Sequence, residues 1–590
     1  MNQAGAPPTP LIDARPGEAR ERPAGTPAPA RRGWWSLGRP GRDGLAWLVA
    51  LAAFLAYAPA FWWGLPFATS AQTVHGWDVD GIAGIGVLSE VHNLLRPTPD
   101  WYTAYPVLHY LLLATVYGPY MVWLKLSGGL HAVAASYPYG LTDPVTTLRV
   151  LALLGRLVTL GMAVGTVAAI YVIGRELWGR MAGVLGALFV MLMAPMLYYA
   201  RTSNLDVPVL FWSALAALAA VRALRQGLTI RRALALGALA ALALATKDQA
   251  YGAWVAGVGY VALVRLRERE VPRAARWRSV LALCGSATAV YVVASGIPFF
   301  PGRFISHVHF LLEFKGEFFN LLHANTLTVL RPATALGGLQ LLGDLVAACA
   351  AALGPVLLAA GILGLAVGLR RAPASRVLAW AVVGFFALVL VPVHHMQYRY
   401  ALLPAAVLAL FGAYLLAAGL KRGGAARALA AVVLVLGLGW EVVAASDLTY
   451  QMLFDARYAA GDWLASHARG GDRVGYFGAE HQLPHIPPGV TPVQLSPEMA
   501  PAANAAASPP EAALRSGAVR WVLVVPDYSS DAARDRSLFL PAATYAALRD
   551  GSLGYRRVAR FATPSLIGRP LPYLPYVNPR VQVFERVSAR

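Results

Sequence analysis

Two carboxylates close together near the start of the chain are the first residues whose types and spacing could do chemistry. Asp78 and Asp80 lie in the sequence H-G-W-D-V-D-G. Residues i and i+2 share a face in an extended segment, whereas they diverge on a helix. One of them could take the proton from an acceptor hydroxyl while a sugar carbon is presented in line for inversion. The alternatives are a helix N-cap or a solvated loop that could bind Ca²⁺.

Basic side chains in short polar turns could bind a phosphate. Arg201, in R-T-S-N-L-D-V-P, presents a planar donor fork. Asp206 in the same turn could shape such a site or cap the next helix, which Pro208 favours at its first turn. Lys247, in T-K-D-Q-A-Y, could neutralise a phosphate, or could form a local ion pair and reach the headgroups. The other candidates stand at the ends of apolar runs: Arg156, which could equally reach the headgroups, His394, His395, Arg399 and Tyr400.

The composition places these residues in a membrane protein. Of 590 residues, 57% are hydrophobic and only 14% are charged, and the mean hydropathy is +0.52. Soluble domains carry about 25% charged residues. The net charge of +20 therefore indicates orientation in a membrane rather than nucleic-acid binding. Cys284 and Cys349 lie inside apolar runs, which excludes a disulfide framework and a cysteine-based metal site.

Short basic loops recur between the apolar segments and set the predicted orientation. Because cytoplasmic loops are enriched in Lys and Arg, these loops are expected to be cytoplasmic. Two crossings must separate consecutive cytoplasmic loops, which predicts about eleven transmembrane helices. The predicted spans are 44–64, 156–173, 181–200, 207–221, 232–246, 250–264, 279–298, 343–369, 377–393, 400–419 and 428–446.

Three domains follow from this threading. Residues 1–43, rich in Pro, Ala and Arg, are predicted to be a disordered basic cytoplasmic arm. Residues 44–446 form the transmembrane domain, whose outer loop 65–147 carries the acidic motif. If the apolar run Tyr105 to Leu126 within that loop crossed the membrane once, every later basic loop would lie outside the cytoplasm. We therefore expect this run to lie along the outer face, to re-enter, or to form a hairpin. Residues 447–590 are expected to be an α/β domain outside the membrane, with a loop at 484–512.

The long outer loop 299–342 carries an aromatic-rich segment with His307, His309, His323, Glu313 and Glu317. We expect an amphipathic surface helix that covers the site. The spacing matches no strong metal template, so no metal ligands are assigned, although a divalent metal is left open.

The order of these motifs resembles the GT-C fold glycosyltransferases, in particular glycosyltransferase family 39, which includes protein O-mannosyltransferases and lipid A aminoarabinose transferases. The resemblance covers about residues 44–460. After the acidic loop come a Y-P-x-L-type segment at Tyr105 to Leu108 and a helix ending G-R-E-L-W-G-R. The turns A-R-T-S-N-L-D-V-P and T-K follow, and then R-Y-x-L-L-P.

The resemblance implies an inverting transfer of a sugar from a polyprenyl phosphate to an acceptor hydroxyl at the outer face of a bacterial inner membrane. The acceptor would be a lipid, a polysaccharide or a protein. The family's first-loop acid would be Asp78 or Asp80, but the family pattern is H-P-D-E where this chain has W-D-V-D, and we favour Asp78. Arg201, Lys247 and Arg399 would contact the lipid phosphate. No cofactor is firmly implied.

Two other classes of protein compete with a transferase. A transporter or flippase of an anionic or sugar-linked lipid would usually place its charges near the bilayer midplane. This chain gathers them at one predicted face, which favours surface chemistry. A noncatalytic membrane assembly protein would leave the outer basic residues unexplained.

Overall fold

A computed structural model describes most of the chain. The described residues are 44–68, 74–78, 81–96, 104–134, 137–313, 331–478, 480–496, 510–525, 540–567, 574 and 576–587. The predicted basic arm 1–43 lies outside them, as do Asp80, Glu317 and His323.

Helices dominate the chain up to residue 453. In chain order they are α1 Gly44–Tyr57, α2 Ile85–Leu95, α3 Leu108–Leu126, α4 Pro144–Trp178, α5 Arg180–Leu192, α6 Ala194–Ala200, α7 Asp206–Gln226, α8 Ile230–Thr246, α9 Ala250–Arg267, α10 Arg273–Ala294, α11 Pro301–Glu313, α12 Ala335–Arg371, α13 Arg376–Phe385, α14 Leu402–Leu420 and α15 Gly424–Leu453. A π turn, Phe386–Leu390, and one last turn, Val391–Val393, extend α13.

The described helices make this a multi-pass membrane protein. Every predicted span overlaps a helix or a helix pair. By length and composition, however, only seven helices among the described residues are able to cross a membrane, or eight if the pair α5 and α6, bent by 66°, counts as one span. The predicted count of eleven is therefore not confirmed.

The first predicted span is shorter than expected. Residues 44–64 were assigned to one crossing, but α1 has 14 residues and ends at Tyr57. Pro59 follows two residues later, and proline has no backbone N–H with which to continue a helix. The chain then turns, with positive φ angles at Ala60 and Gly64. About 20 residues are needed to cross a bilayer, so α1 falls short of that length.

Close helix contacts in the membrane body depend on glycine. An added Cβ at Gly364 of α12 would lie 2.1 Å from the backbone oxygen of Phe411 in α14. A Cβ at Gly384 of α13 would lie 2.3 Å from the backbone oxygen of Gly252 in α9. Small residues allow helix backbones to approach closely in lipid, where the hydrophobic effect does not drive helices together.

The segment that carries the acidic motif lies between α1 and α4. A two-residue strand β1, Phe67–Ala68, pairs antiparallel with β2, Val74–His75, just before Asp78. Helices α2 and α3 follow; they pack on each other, and α3 packs on α4. Their apolar side chains share a cluster with Leu148 and Leu151 of α4. The acidic motif is therefore placed against the N-terminal part of α4.

The C-terminal residues form a small α/β domain, as predicted. It begins with α16, Ala456–His467, which Asp455 caps by accepting a hydrogen bond from the backbone N–H of Arg457. The other elements are β3 Arg473–Phe477, β4 Thr491–Ser496, α17 Pro510–Arg515, β5 Trp521–Val524, α18 Ala542–Arg549, β6 Tyr555–Phe561 and β7 Val581–Arg586. The described strands form one sheet in the order β4-β3-β5-β7-β6, with the β3 pairings parallel and the β7 pairings antiparallel.

One prediction in this domain is wrong. Residues 484–512 were expected to be a loop, but they contain the edge strand β4. Val493 and Leu495 alternate with polar residues, as in a half-buried strand. Pro492 obscured this pattern, although an edge strand tolerates proline because one side of the strand needs no ladder hydrogen bond.

Candidate active site

Asp78 is held by a buried arginine from the membrane body. Oδ2 of Asp78 lies 3.3 Å from a terminal nitrogen of Arg156, which is in α4. The Arg156 side chain is fully buried, whereas 13% of the Asp78 side chain is exposed. The other terminal nitrogen of Arg156 donates to the backbone oxygens of Phe61, at 2.8 Å, and Trp63, at 2.7 Å. Arg156 therefore contacts Asp78 and the turn after α1, rather than the cavity described below.

Two glycines leave room for the Asp78 carboxylate. A Cβ at Gly81 would lie 2.6 Å from Oδ2 of Asp78, and a Cβ at Gly76 would lie 2.9 Å from Oδ1. The backbone N–H of Gly81 donates to the backbone oxygen of Asp78 at 2.8 Å, which closes a tight turn. The backbone N–H of Ile82 then donates to the backbone oxygen of Ser203. The acidic turn is thus joined to the turn that contains Arg201 and Asp206.

A second group of charged residues lines a cavity between the N-terminal ends of α7, α9 and α14. We call it the cationic cavity, of about 50 Å³, and its charged and hydroxyl-bearing wall residues are Asp206, Ser213, Lys247, Arg399 and Tyr400. Nζ of Lys247 lies 2.6 Å from Oδ1 of Asp206, and both side chains are buried. The carboxylate of Asp206 therefore pairs with Lys247 and does not cap α7, whose N-cap residue is Leu205.

Arg399 and Tyr400 complete the cationic cavity from a 3₁₀ turn before α14. Nε of Arg399 donates to Oε1 of Gln397 at 2.6 Å, and its guanidinium carbon lies 5.9 Å from the ring centre of Tyr400. The hydroxyl of Tyr400 accepts a hydrogen bond from Nε2 of Gln249 at 3.2 Å. The turn therefore places a cation and a phenol opposite Lys247.

The two histidines before this turn do not line the cavity. His395 is buried, and its ring centre lies 5.9 Å from that of Tyr400. His394 has a positive φ angle, and its backbone oxygen accepts from the backbone N–H of Arg331. These contacts support the turn that carries Arg399.

Arg201 lies outside the cationic cavity, where it is buried and links the ends of neighbouring helices. Its guanidinium donates to the backbone oxygens of Ala56, at 2.9 Å, and Tyr57, at 3.3 Å, and to the hydroxyl of Thr449 at 2.9 Å. Its side chain is fully buried. The structure thus joins Arg201 to α1 and α15, and does not bring it to Lys247 and Arg399.

Helix α11 carries two side chains that contact carboxylates from other parts of the chain. Nε of Arg303 lies 2.6 Å from Oε1 of Glu90 in α2, and both side chains are buried. Nε2 of His307 lies 3.2 Å from Oδ1 of Asp248, the residue after Lys247. Sequence analysis missed Arg303, because nothing in the sequence links it to a carboxylate that is more than 200 residues away.

No group of three His, Cys, Asp or Glu side chains that could hold a metal ion occurs among the described residues. Asp80, Glu317 and His323 lie outside those residues. A divalent metal thus stays untested.

Aromatic residues around Trp77 form the other part of the site that sequence analysis missed. The rings of Tyr458 and His485, from the C-terminal domain, lie 4.7 Å and 5.5 Å from that of Trp77. Burial, followed by the nearby guanidinium groups of Arg149 and Arg457, lowers the pKa of His485. Its ring is therefore uncharged at neutral pH, which suits packing against an indole. The sequence feature that could have indicated Trp77 is its position directly before Asp78.

The comparisons with known proteins agree in kind with the resemblance noted from the motifs. Residues 145–295 match the family model described as dolichyl-phosphate-mannose-protein mannosyltransferase. This range contains Arg156, Arg201, Asp206 and Lys247, but not Asp78 or Arg399. The match confirms the resemblance to glycosyltransferase family 39. A sequence comparison with curated proteins finds no match.

Several solved structures are similar to this chain at low identity. ArnT from Cupriavidus metallidurans bound to undecaprenyl phosphate is 14% identical, with 93% of this chain and 99% of that chain covered and a TM-score of 0.44. The archaeal oligosaccharyltransferase AglB from Archaeoglobus fulgidus, in complex with an inhibitory peptide and a dolichol-phosphate, is 13% identical, with 92% and 88% covered and a TM-score of 0.43. The Pmt1-Pmt2 protein O-mannosyltransferase complex of S. cerevisiae bound to the sugar donor is 18% identical, with 45% of this chain and 34% of that chain covered and a TM-score of 0.31. This chain thus spans about a third of the yeast chain.

Proposed function

We propose that this membrane glycosyltransferase of the GT-C type moves a sugar, with inversion, from a polyprenyl phosphate to an acceptor hydroxyl at the outer face of a bacterial inner membrane. The observation that carries the proposal is a cationic cavity next to an apolar one. The apolar cavity, of about 30 Å³, shares Leu210, Ser213 and Leu403 with the cationic cavity. Its other wall residues are apolar. A polar head and an apolar tail side by side are the chemistry of an anionic lipid.

The charges of the cationic cavity suit such a donor. Lys247 and Arg399 against Asp206 leave one net positive charge. A polyprenyl-phosphate sugar is a phosphodiester with one negative charge, and its leaving group gains negative charge as the sugar departs. Fixed cations beside that oxygen stabilise the transition state more than the ground state. We assign phosphate binding to Lys247 and Arg399, with Asp206 as the residue that positions Lys247.

Asp78 is assigned as the base. Its carboxylate takes the proton of the acceptor hydroxyl, the acceptor oxygen bonds to the sugar carbon, and the bond from that carbon to the phosphate oxygen breaks. Arg156 places a buried positive charge 3.3 Å from the carboxylate while leaving part of it exposed. Asp80 keeps its role as the alternative base. Arg201 is assigned to holding helix ends, because its donors are directed at backbone oxygens and Thr449.

The proposal is tested with the full chain in liposomes, supplied with labelled polyprenyl-phosphate sugars and candidate lipid, polysaccharide and protein acceptors. We expect release of free polyprenyl phosphate together with label on one acceptor, in the anomeric form opposite to the donor's. Retained configuration, or lipid movement between leaflets without release, would reject the proposal; the second result would favour a transporter.

One lysine variant and one arginine variant distinguish the proposed donor site from buried cations outside it. Lys247→Met should weaken donor binding, because a cation of the cavity is lost. Arg201→Met removes a buried cation outside the cavity and serves as the matched control, so donor affinity per folded protein should be unchanged. Equal loss of affinity in both variants would place the phosphate elsewhere.

A further inference from the structure

A buried cluster joins the C-terminal domain to the turn that carries Asp78. We call Trp63, Trp77, Asp455 and Arg457 the tryptophan–arginine cluster. The guanidinium carbon of Arg457 lies 3.9 Å from the ring centre of Trp77 and 5.7 Å from that of Trp63. All four side chains are buried. A desolvated guanidinium over an indole face is a strong form of the cation–π interaction.

Asp455 ties the members of the cluster together. Its two carboxylate oxygens accept from Nε of Arg457 at 2.9 Å and from a terminal nitrogen of Arg457 at 2.8 Å. Nε1 of Trp63 donates to Oδ2 of Asp455 at 3.1 Å, and the backbone N–H of Asn578 donates to the same oxygen at 2.8 Å. The buried charges are thus paired and hydrogen-bonded, which is the condition under which a buried ion pair is tolerated.

Trp77 is fixed on more than one side. Its Nε1 donates to the backbone oxygen of Leu483 in the C-terminal domain at 2.9 Å. Its backbone N–H donates to the backbone oxygen of Gly64, whose own N–H donates to the hydroxyl of Tyr458. The next residue is Asp78, which Arg156 contacts from the membrane body. The carboxylate therefore stands between a fixed arginine of α4 and a tryptophan held by the C-terminal domain.

Attachment of the domain does not by itself require this arrangement. Asp447 of α15 accepts from the hydroxyl of Ser565 at 2.9 Å and from the backbone N–H of Leu566 at 2.5 Å. This second contact joins the domain to the membrane body through residues outside the tryptophan–arginine cluster. Because the domain is attached without it, the cluster beside Asp78 is available to fix the position of the acidic turn.

We propose that the C-terminal domain is part of the catalytic apparatus and that Arg457 is a positioning residue, which holds Trp77 and thereby places the carboxylate of Asp78. This inference rests on the proposed function, because it assumes that Asp78 acts on the acceptor. Arg457 itself touches no reacting atom. Displacement of a catalytic group by about 1 Å can lower turnover on the order of 100-fold.

The test uses the full chain in liposomes and the variant Arg457→Met. We expect kcat to fall on the order of 100-fold, while the KM for the lipid donor is unchanged, because the cationic cavity is not affected. In an Asp78→Asn background the same substitution should cause no further loss of residual transfer. Trp77→Phe keeps a ring under Arg457 but removes the bond to Leu483, and should lower kcat by a smaller factor.

Arg520→Met is the matched control. Arg520 also pairs with carboxylates, Asp472 and Glu585, and lies over a tryptophan, Trp521, at 4.8 Å, within the same domain. Its loss should leave kcat unchanged. If Arg457→Met does not fold, Trp77→Phe alone decides the matter.

Three results would overturn the inference. They are unchanged kcat in the folded cluster variants, the same loss in Arg520→Met, or an equal further loss in the Asp78→Asn background. In each case transfer by the wild type, with a fall on the order of 10²–10⁴-fold in Asp78→Asn, would leave the proposed function standing. Absence of wild-type transfer would reject the function itself.

Discussion

At the scale of single residues, the geometry divides the buried basic side chains by task. Lys247 and Arg399 face a cavity, whereas Arg156 and Arg201 donate to backbone oxygens at helix ends. A guanidinium has five donors in a fixed fork, so it can join several carbonyl groups at once. The same residue type in similar sequence surroundings thus serves either a ligand or the fold, depending on which atoms surround it.

The space around Asp78 leads to a prediction at this scale. Gly81→Ala would place a methyl group 2.6 Å from the carboxylate oxygen, so the carboxylate must move. We expect turnover to fall on the order of 100-fold with donor affinity unchanged, as measured by transfer kinetics and equilibrium binding.

Gly86→Ala is the control for this substitution. It lies on α2, where an added Cβ meets nothing within 4 Å, so transfer should be retained. Retained transfer in Gly81→Ala as well would remove the tight turn at Asp78 from the account.

At the scale of elements, sequence patterns predicted where helices form better than where they end, bend or kink. The apolar runs predicted the helical segments because hydrophobicity over about 20 residues is a local property. The end of α1 at Tyr57, the bend between α5 and α6 and the kink of α12 at Gly354 depend on proline, glycine and neighbouring helices. The strand β4 was hidden for a related reason, since its Pro492 is tolerated only at a sheet edge.

Glycine contacts between α12 and α14 give a prediction at this scale. Gly364→Ala would force a methyl group against the backbone of Phe411, and overpacking of this kind costs about 1–3 kcal/mol. We expect a lower Tm in detergent. Because α14 follows the turn with Arg399, we also expect weaker donor binding.

Gly343→Ala, on the same helix, is the matched variant. An added Cβ there meets nothing within 4 Å, so the Tm should be unchanged or slightly raised by better helix propensity. Equal Tm values for the two variants would contradict the close packing of α12 on α14.

At the scale of the whole molecule, two chain regions far apart in sequence meet at the acidic turn. Asp78 could be singled out from the sequence because it is one of two closely spaced acids in an apolar chain. Asp455 and Arg457 could not, because no local pattern states that they contact Trp63 and Trp77 almost 400 residues earlier. Site residues that stand out as charges in an apolar stretch could thus be predicted from the sequence. Those that act through long-range packing could not.

The predicted orientation gives a testable result at this scale. With Cys284 and Cys349 replaced by alanine, single cysteines are introduced at Ser552 of the C-terminal domain and at Gly423 of a basic loop, both exposed. An impermeant maleimide should label Ser552→Cys in intact spheroplasts, whereas Gly423→Cys should react only after permeabilisation. The reverse pattern would place the C-terminal domain in the cytoplasm and exclude transfer at the outer face by this site.

The most direct test of the central claim measures donor binding and sugar transfer in the same preparation of Asp78→Asn. General base catalysis contributes about 10²–10⁴-fold, so transfer should fall by that factor while donor affinity is retained. Asp143→Asn, which alters a helix-capping carboxylate in the same loop, should transfer at the wild-type rate. Wild-type transfer by Asp78→Asn would contradict the account, because the carboxylate would then have no part in the reaction.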